Sequence, residues 1–375
     1  MLSYFVYGTL CHAPLLRTVL GRAVEMVPAR LPGHAVFWVR DKAFPVIVEG
    51  GPGAAGFLLE GLDAGDAARL DFYEGGFDYE TREVTVETAA GPAWARAYFS
   101  AGGLEPGEPW SLADWQARWG EVAVATAGDF MAQMGHVAPE TLIARYPMML
   151  MRGGARCRAR REAGAAAGPL PAHRGEIRER RVRQVYAGYF AVEEYDLRFG
   201  RFDGSLSPEV NRAVFVSGDA AVVLPYDPGR DRVLLIEQQR MGPHARGDRQ
   251  SWIFEAVAGR VDGGETPEET ARREAREEAG LEIAELIPAH RYYPSPAAMA
   301  EFLYTFVGIA ELPDGGPRLG GLAAETEDIR SRILPFATLM AMVESGQANT
   351  APLLLLALWL DRHREGLRAR FGAGA

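Results

Sequence analysis

Residues 259–281 read GRVDGGETPEETARREAREEAGL, and this stretch constrains the chain more than any other. Thr266 is a good N-cap, Pro267 suits the first helical position, and Glu269 stands where a capping box needs its acid. Gly280 supplies the stop. Glu274, Glu277 and Glu278 then fall at i, i+3 and i+4 on one helix face, next to Arg273. Like charges so close repel each other. A hard divalent cation relieves the repulsion, and Mg²⁺ (or Mn²⁺) favours such an oxygen-rich, partly hydrated site. Such an ion bridges phosphate oxygens and polarises an attacking water. An isolated EAREE would read as a solvated acidic face. Here Glu265 follows Gly259 after five residues, and Arg273-Glu274 follows Glu265 after seven. Glu277-Glu278, Gly280 and the aliphatic Leu281 complete the pattern.

The rest of the chain changes character twice. At 375 residues it exceeds one ordinary core, so two or three domains are expected. Residues 1–105 alternate short apolar runs with Gly and Pro, as in SYFVYG, HAVFWVR, FPVIVEG and ARAYFS, and read as strands between turns. Helices are expected at Pro14–Leu20 and Ala64–Phe72. Residues 106–151 read as a helical extension, in which Trp110, Leu112, Trp115 and Trp119 stand at helix-like spacing for packing. Residues 152–183 are rich in Arg, Ala, Gly and Pro and read as a linker. From 184 to 375 strands return around the acidic helix. DPGRD at 227–231 reads as a hairpin turn, and two helices near Phe336–Ser345 and Pro352–Phe371 close the chain. The class is α/β (α+β), in two domains.

Composition narrows the function. Apolar residues make up 48% and charged residues 24%, as in a folded globular protein. Two cysteines, Cys11 and Cys157, exclude a disulfide scaffold and a cysteine-rich zinc module. A net charge of −10 argues against general nucleic-acid binding. Lys42 is the only lysine, so the basic charge is almost all arginine. MLSYFVYGTL has no basic segment before an apolar one, and Pro352–Leu360 is about half of the ~20 residues a membrane span needs. A cytoplasmic protein with small-molecule substrates, and neither nucleic-acid nor membrane partners, is expected.

With every fixed position present, 259–281 resembles the Nudix box. Only Ala275 departs, where a larger aliphatic is frequent. The resemblance implies a Nudix α/β/α sandwich with a mixed sheet, and hydrolysis of a nucleoside diphosphate linked to another group. Carried over by position, it makes Glu274, Glu277 and Glu278 metal ligands, with the carbonyl of Ala258. Glu278 counts among the catalytic residues, and Glu265 orients Arg273. SPAAMAE at 295–301 looks like the proline-containing loop of ADP-ribose pyrophosphatases, with Ala297 where glycine is frequent. GLAAETEDIR at 321–330 looks like their mobile acidic loop. That resemblance implies that Glu325 orients or deprotonates the water, with Glu327 second, and that Arg240 and Glu301 contact substrate. It also implies AMP and ribose 5-phosphate as products and a homodimer through residues 181–375. Another sugar nucleotide or a dinucleotide stands as the alternative substrate. Tyr189 and Phe190 are candidates to stack on the base.

The N-terminal motif is shorter. SYFVYGTL reads as a strand ending in a glycine turn, where successive backbone N–H groups converge on an anion. Together with LDFYEGGFDYETREVTV at 70–86 it looks like the signatures of the gamma-glutamylcyclotransferase-like superfamily. The resemblance implies a small β-barrel with helices. Tyr7, Gly8, Thr9 and Leu10 would hold the substrate carboxylate and Glu74 would be the base for 5-oxoproline release, with no metal. Tyr79 and Arg82 would shape the domain, and Cys11 and His12 are loop residues. A non-catalytic ligand-binding or regulatory module is the alternative.

Overall fold

Period-two alternation in the first hundred residues closes a sheet on itself. The computed structural model describes residues 2–77, 79–162, 169–170, 175–315, 318–321 and 327–372. It divides into two units, Met1–Gly168 and Pro169–Ala375.

The first unit contains β1 (Leu2–Val6), α1 (Ala13–Leu20), β2 (Val27–Leu31), β3 (His34–Val39), β4 (Pro45–Glu49), β5 (Ala54–Leu62) and α2 (Ala64–Gly75). It continues with β6 (Tyr79–Thr88), β7 (Gly91–Ser100), β8 (Pro106–Pro109), α3 (Leu112–Met131), α4 (Pro139–Ile143) and α5 (Tyr146–Glu162). A closed barrel runs β1-β5-β2-β6-β7, and β7 returns parallel to β1. A second sheet runs β4-β3-β8. β1 shows the alternation directly. Phe5 points into the barrel core with Leu58, Val86 and Ala97, while Tyr4 and Val6 face the helices with Leu15, Leu70 and Phe130. Asp63 caps α2 in a full capping box with Asp66.

The linker expected over 152–183 is corrected by the structure. Residues 152–162 complete α5, and 177–183 open a strand. The small residues there serve close packing: a Cβ on Gly153 would stand 2.6 Å from Thr126 Oγ1 on α3. The arginines that look solvated have partners on α3, with Arg156 donating to Asp129 (2.6 Å) and Arg161 to Glu121 (2.6 Å).

The second unit contains β9 (Ile177–Ala187), β10 (Ala191–Phe199), β11 (Val210–Val216), β12 (Ala220–Asp227), β13 (Arg232–Gln239), α6 (Met241–Arg246), β14 (Trp252–Glu255) and β15 (Val257–Arg260). There follow α7 (Pro267–Ala279), β16 (Glu285–Tyr292), β17 (Met299–Ala300), β18 (Leu303–Ile309), β19 (Arg318–Gly320), β20 (Ile329–Pro335), α8 (Phe336–Ser345) and α9 (Ala351–Phe371). The main sheet runs β16-β18-β12-β13-β20-β19, with β14 on β13 and β15 on β12. It is mixed, since β12 and β18 pair in parallel. β12 sends Ala221 and Val223 to one face, against Ala271, Ala275 and Ala279 of α7. Val222, Leu224 and Tyr226 go to the other, against Leu339 of α8 and Leu353 and Leu356 of α9. The result is an α/β/α sandwich. Ala275 is fully buried at this helix–sheet contact. A smaller sheet runs β17-β11-β10-β9.

Candidate functional site

The acidic helix keeps the geometry its caps dictate. Thr266 Oγ1 accepts from the Glu269 amide, Glu269 accepts from the Thr266 amide (2.8 Å), and Gly280 ends α7 at φ 62. The carboxylate face then lies over β15. A Cβ on Gly259 would stand 1.7 Å from Glu274 Oε1, so only glycine leaves Glu274 its place. The Ala258 amide donates to Glu278 Oε2 (3.1 Å), and Ala258 pairs with Val222 across the sheet.

Arg273 organises this face. Its Nε and Nη2 donate to the two oxygens of Glu265 (2.9 and 3.0 Å). Its Nη1 donates to Glu274 (2.6 Å) and Glu277 (2.9 Å). Burial works to raise Glu265, but the bonds from Arg273 and Thr270 outweigh it and hold Glu265 below its ordinary value. Glu274 is pushed up to about 7, mainly by burial, which the Arg273 charge offsets only in part. Glu278 is pushed up to about 9 by burial and by Glu274. Among the described residues Glu278 has no ion pair, only the Ala258 amide.

No three His, Cys, Asp or Glu side chains among the described residues converge as a ready-made ion cage, because Arg273 lies among the carboxylates. The donor set still suits a hard cation. Glu278 is an enclosed carboxylate without a counter-ion of its own, and Glu274 beside it shares one guanidinium with Glu277 and Glu265. That is a local excess of negative charge on oxygen.

The flanking candidates fall into two groups. Arg240, at the end of β13, donates to Glu255 (2.7 Å), and its charge eases Glu278 downward. The charge of Glu327 adds a small upward push to both Glu274 and Glu278. Glu325 lies outside the described residues. Glu301 accepts from Ser217 (3.1 Å), and burial raises it, against that bond and the Arg260 charge. The proline loop before it is tied to β11 by the Phe215 amide on the Ala298 carbonyl (2.9 Å).

Arg260 is the residue that sequence reasoning missed. Its guanidinium lies over Tyr189 (4.3 Å) and Phe190 (4.6 Å) and donates to Ser217 (3.3 Å), which also bonds Glu301. Two distant sequence segments meet through one cation. The only signal was its place directly after Gly259.

The first unit has its own site. A cavity of 1410 Å³ is lined by Tyr7, Gly8, Thr9 and Leu10 from the loop after β1 and by Glu74 from α2. Gly8 is needed for close approach, since a Cβ there would stand 2.6 Å from Pro45 Cγ. Tyr7 donates to the Tyr98 carbonyl (2.6 Å), Tyr98 to Asp71 (2.6 Å), and Tyr79 to the Pro45 carbonyl (2.7 Å). Glu74 keeps some surface open to the cavity while protein atoms enclose it. That burial pushes it up to about 7. Among the described residues its side chain has no hydrogen-bond or ion-pair partner.

Arg82 is exposed, pairs with Glu80 and covers Phe99. Cys11 donates to the Val6 carbonyl (3.3 Å) and burial pushes its thiol up to about 12. His12 bonds Gln116 and stands edge-on to Trp115, so the two do not form a nucleophilic pair.

Comparison with known proteins finds a family match in each unit. Residues 216–354 match the family model described as NUDIX domain, and residues 4–117 match the one described as gamma-glutamyl cyclotransferase, AIG2-like. The chain is 37% identical over 184 residues to an ADP-ribose pyrophosphatase of Escherichia coli K12, covering 49% of this chain and 87% of that one. It is 34% identical to an ADP-ribose pyrophosphatase of Haemophilus influenzae, covering 40% and 70%. It is 31% identical to a GDP-mannose pyrophosphatase of Escherichia coli K12 / DH10B, covering 46% and 88%.

Proposed function

The chain belongs to the Nudix family and is a Nudix pyrophosphohydrolase, and on that premise we propose that its C-terminal unit hydrolyses ADP-ribose to AMP and ribose 5-phosphate. The observation that carries this is the carboxylate face of α7 seated over Gly259, with an uncompensated, enclosed Glu278. The higher identity to ADP-ribose pyrophosphatases than to the GDP-mannose enzyme supports ADP-ribose over GDP-mannose.

Glu274, Glu277 and Glu278 would hold Mg²⁺ or Mn²⁺, together with the Ala258 carbonyl. The bound ion supplies positive charge to the diphosphate oxygens and acidifies a water. Glu265 holds Arg273 in register with the carboxylates. Arg240 and Glu301 bind substrate. Tyr189 and Phe190, braced by Arg260, stack on the base. Incubating the full chain with ADP-ribose and with GDP-mannose, with Mg²⁺ and with EDTA, tests the proposal. Conversion of GDP-mannose alone overturns the substrate, and equal conversion in EDTA overturns the metal.

Glu325 is proposed to orient the water, which makes it a matter of rate more than binding. Glu325→Gln is expected to lower kcat by about 10²-fold with KM changed only a few-fold. If Glu327→Gln does this and Glu325→Gln does not, the assignment moves to Glu327.

A homodimer through residues 181–375 is also proposed. β9, at the edge of its sheet, leaves Val182, Val185 and Tyr186 about half exposed each (48%, 54% and 59%), an apolar edge open to pairing. Light scattering at about 10 μM is expected to give twice the chain mass, and a monomer overturns the dimer. The two free cysteines suit a reducing compartment, so the cytoplasm is proposed. No helix among the described residues is long and apolar enough to cross a membrane.

For the first unit the proposal is γ-glutamyl cyclotransferase activity rather than a passive module, because Glu74 faces the cavity unpaired. Glu74 takes a proton from the substrate α-ammonium. The amine attacks the γ-carbonyl carbon of the same molecule. The amide C–N bond breaks, and the leaving nitrogen takes up both the proton held by Glu74 and the second proton shed by the attacking nitrogen, departing as an ammonium as 5-oxoproline forms. Ring closure is intramolecular, so holding the substrate folded is much of the catalysis.

A further inference from the structure

The N-terminal cavity is larger than ring closure of a glutamyl group requires, and its surplus has a chemical character. We propose that it takes γ-glutamyl conjugates whose amine half carries an aromatic or bulky apolar group, seated against Trp119, Ile143, Tyr146 and Leu150; the proposal rests on the cyclotransferase reading of the same cavity.

Its 1410 Å³ exceeds the ~300–1,000 Å³ of most small-molecule sites. The Tyr7–Leu10 loop and Glu74 mark the end that holds the glutamyl group. That group is a short chain with polar ends and fills a small part of the space. A further part of the wall comes from α3, α4 and α5. Trp119, Ile143, Tyr146 and Leu150 lie past position 117, where the match to the cyclotransferase family model stops. This part of the cavity wall therefore lies outside the matched range.

The wall is fixed in place. Trp115 Nε1 donates to the Ala43 carbonyl (2.8 Å), which ties α3 to the segment between β3 and β4. Tyr146 stands edge-on to Phe77 (5.1 Å) and Phe130 (6.3 Å). A Cβ on Gly76 would lie 3.6 Å from Ile143 Cβ, so α4 sits against the turn just after Glu74. A ligand meeting such a wall loses little to ordering of the protein, and an apolar group gains in proportion to the area it buries. Lys42 and Arg118 also line the cavity. A comparison between conjugates must therefore hold charge constant.

γ-Glutamylphenylalanine and γ-glutamylglycine carry the same charges and differ by one benzyl group. With the full chain, kcat/KM for 5-oxoproline release is expected to be at least about tenfold higher for the phenylalanine conjugate. Trp119→Ala and Leu150→Ala are each expected to shrink that ratio. A ratio does not depend on the fraction of folded enzyme, and Leu150→Ala is the milder truncation should Trp119→Ala fail to fold. Equal kcat/KM in the unaltered chain overturns the substrate class and leaves the cyclotransferase reading standing. No 5-oxoproline from either compound overturns that reading instead. Calorimetry then decides the class: tighter binding of the phenylalanine conjugate supports it, and equal or absent binding overturns it.

Discussion

Glu278→Gln is expected to lower ADP-ribose hydrolysis by at least ~10²-fold in kcat, with the fold intact. The substitution keeps side-chain volume, and a glutamine oxygen still accepts from the Ala258 amide, now 3.1 Å from Glu278 Oε2. What it removes is one full negative charge at the most enclosed carboxylate of the face. A metal ion held by the remaining carboxylates is bound less tightly and polarises its water less. Loss of one such electrostatic contribution inside an enclosed site is typically worth ~10²–10³ in kcat. Destabilisation is not expected, because the wild-type carboxylate is enclosed without a counter-ion and its neutral amide is easier to bury. The measurement is kcat at saturating Mg²⁺ beside a melting curve. Hydrolysis that survives both the substitution and EDTA overturns the role of this face, whichever nucleotide sugar is used.

How far each site could be read in advance follows from the range of the interactions that build it. α7 was legible because its caps, its acidic face and its stop lie within 23 consecutive residues, and each acts locally. The hairpin at DPGRD was legible for the same reason, with the Arg230 amide donating to Asp227 three residues back (3.0 Å). The tail of α5 was not. Its Arg–Gly–Ala composition reads as a linker, but as a helix it packs on α3, with its arginines on Asp129 and Glu121 and Gly153 close against Thr126. Tertiary packing overrode local propensity there. Trp115 and Trp119 read alike as packing residues. Both line the cavity, but Trp115 is buried, at 2% exposure, and Trp119 only half-buried, and nothing in a spacing of four tells them apart. Arg260 was hidden because its aromatic partners, Tyr189 and Phe190, stand far away in sequence.

Glu74→Gln is expected to abolish 5-oxoproline release and to spare nucleotide-sugar hydrolysis. Glutamine preserves the shape of the cavity and removes the carboxylate proposed to take the ammonium proton. The working form of Glu74 is the carboxylate. Burial pushes its carboxyl up to about 7, so the wild-type rate should fall about tenfold per pH unit below about 7 and level off above it. The same shift acts on stability, with a definite sign. The folded value lies above the ordinary 4.5, so the proton is held more tightly in the folded chain. The stability this contributes is complete below pH 4.5 and is lost as pH rises through about 7. Glutamine carries no charge to bury at any pH. The variant should therefore melt above the wild type at pH 8, and the two should converge near pH 4.5. The unfolding transition that moves identifies the first unit. A flat rate from pH 5 to 8, or a variant that releases 5-oxoproline at the wild-type rate, removes Glu74 as the base. If the wild type releases none but a γ-glutamyl ligand binds beside Tyr7, the unit is a binding module. The melting comparison would still report the enclosed carboxylate, because it depends on the environment of Glu74 and not on turnover.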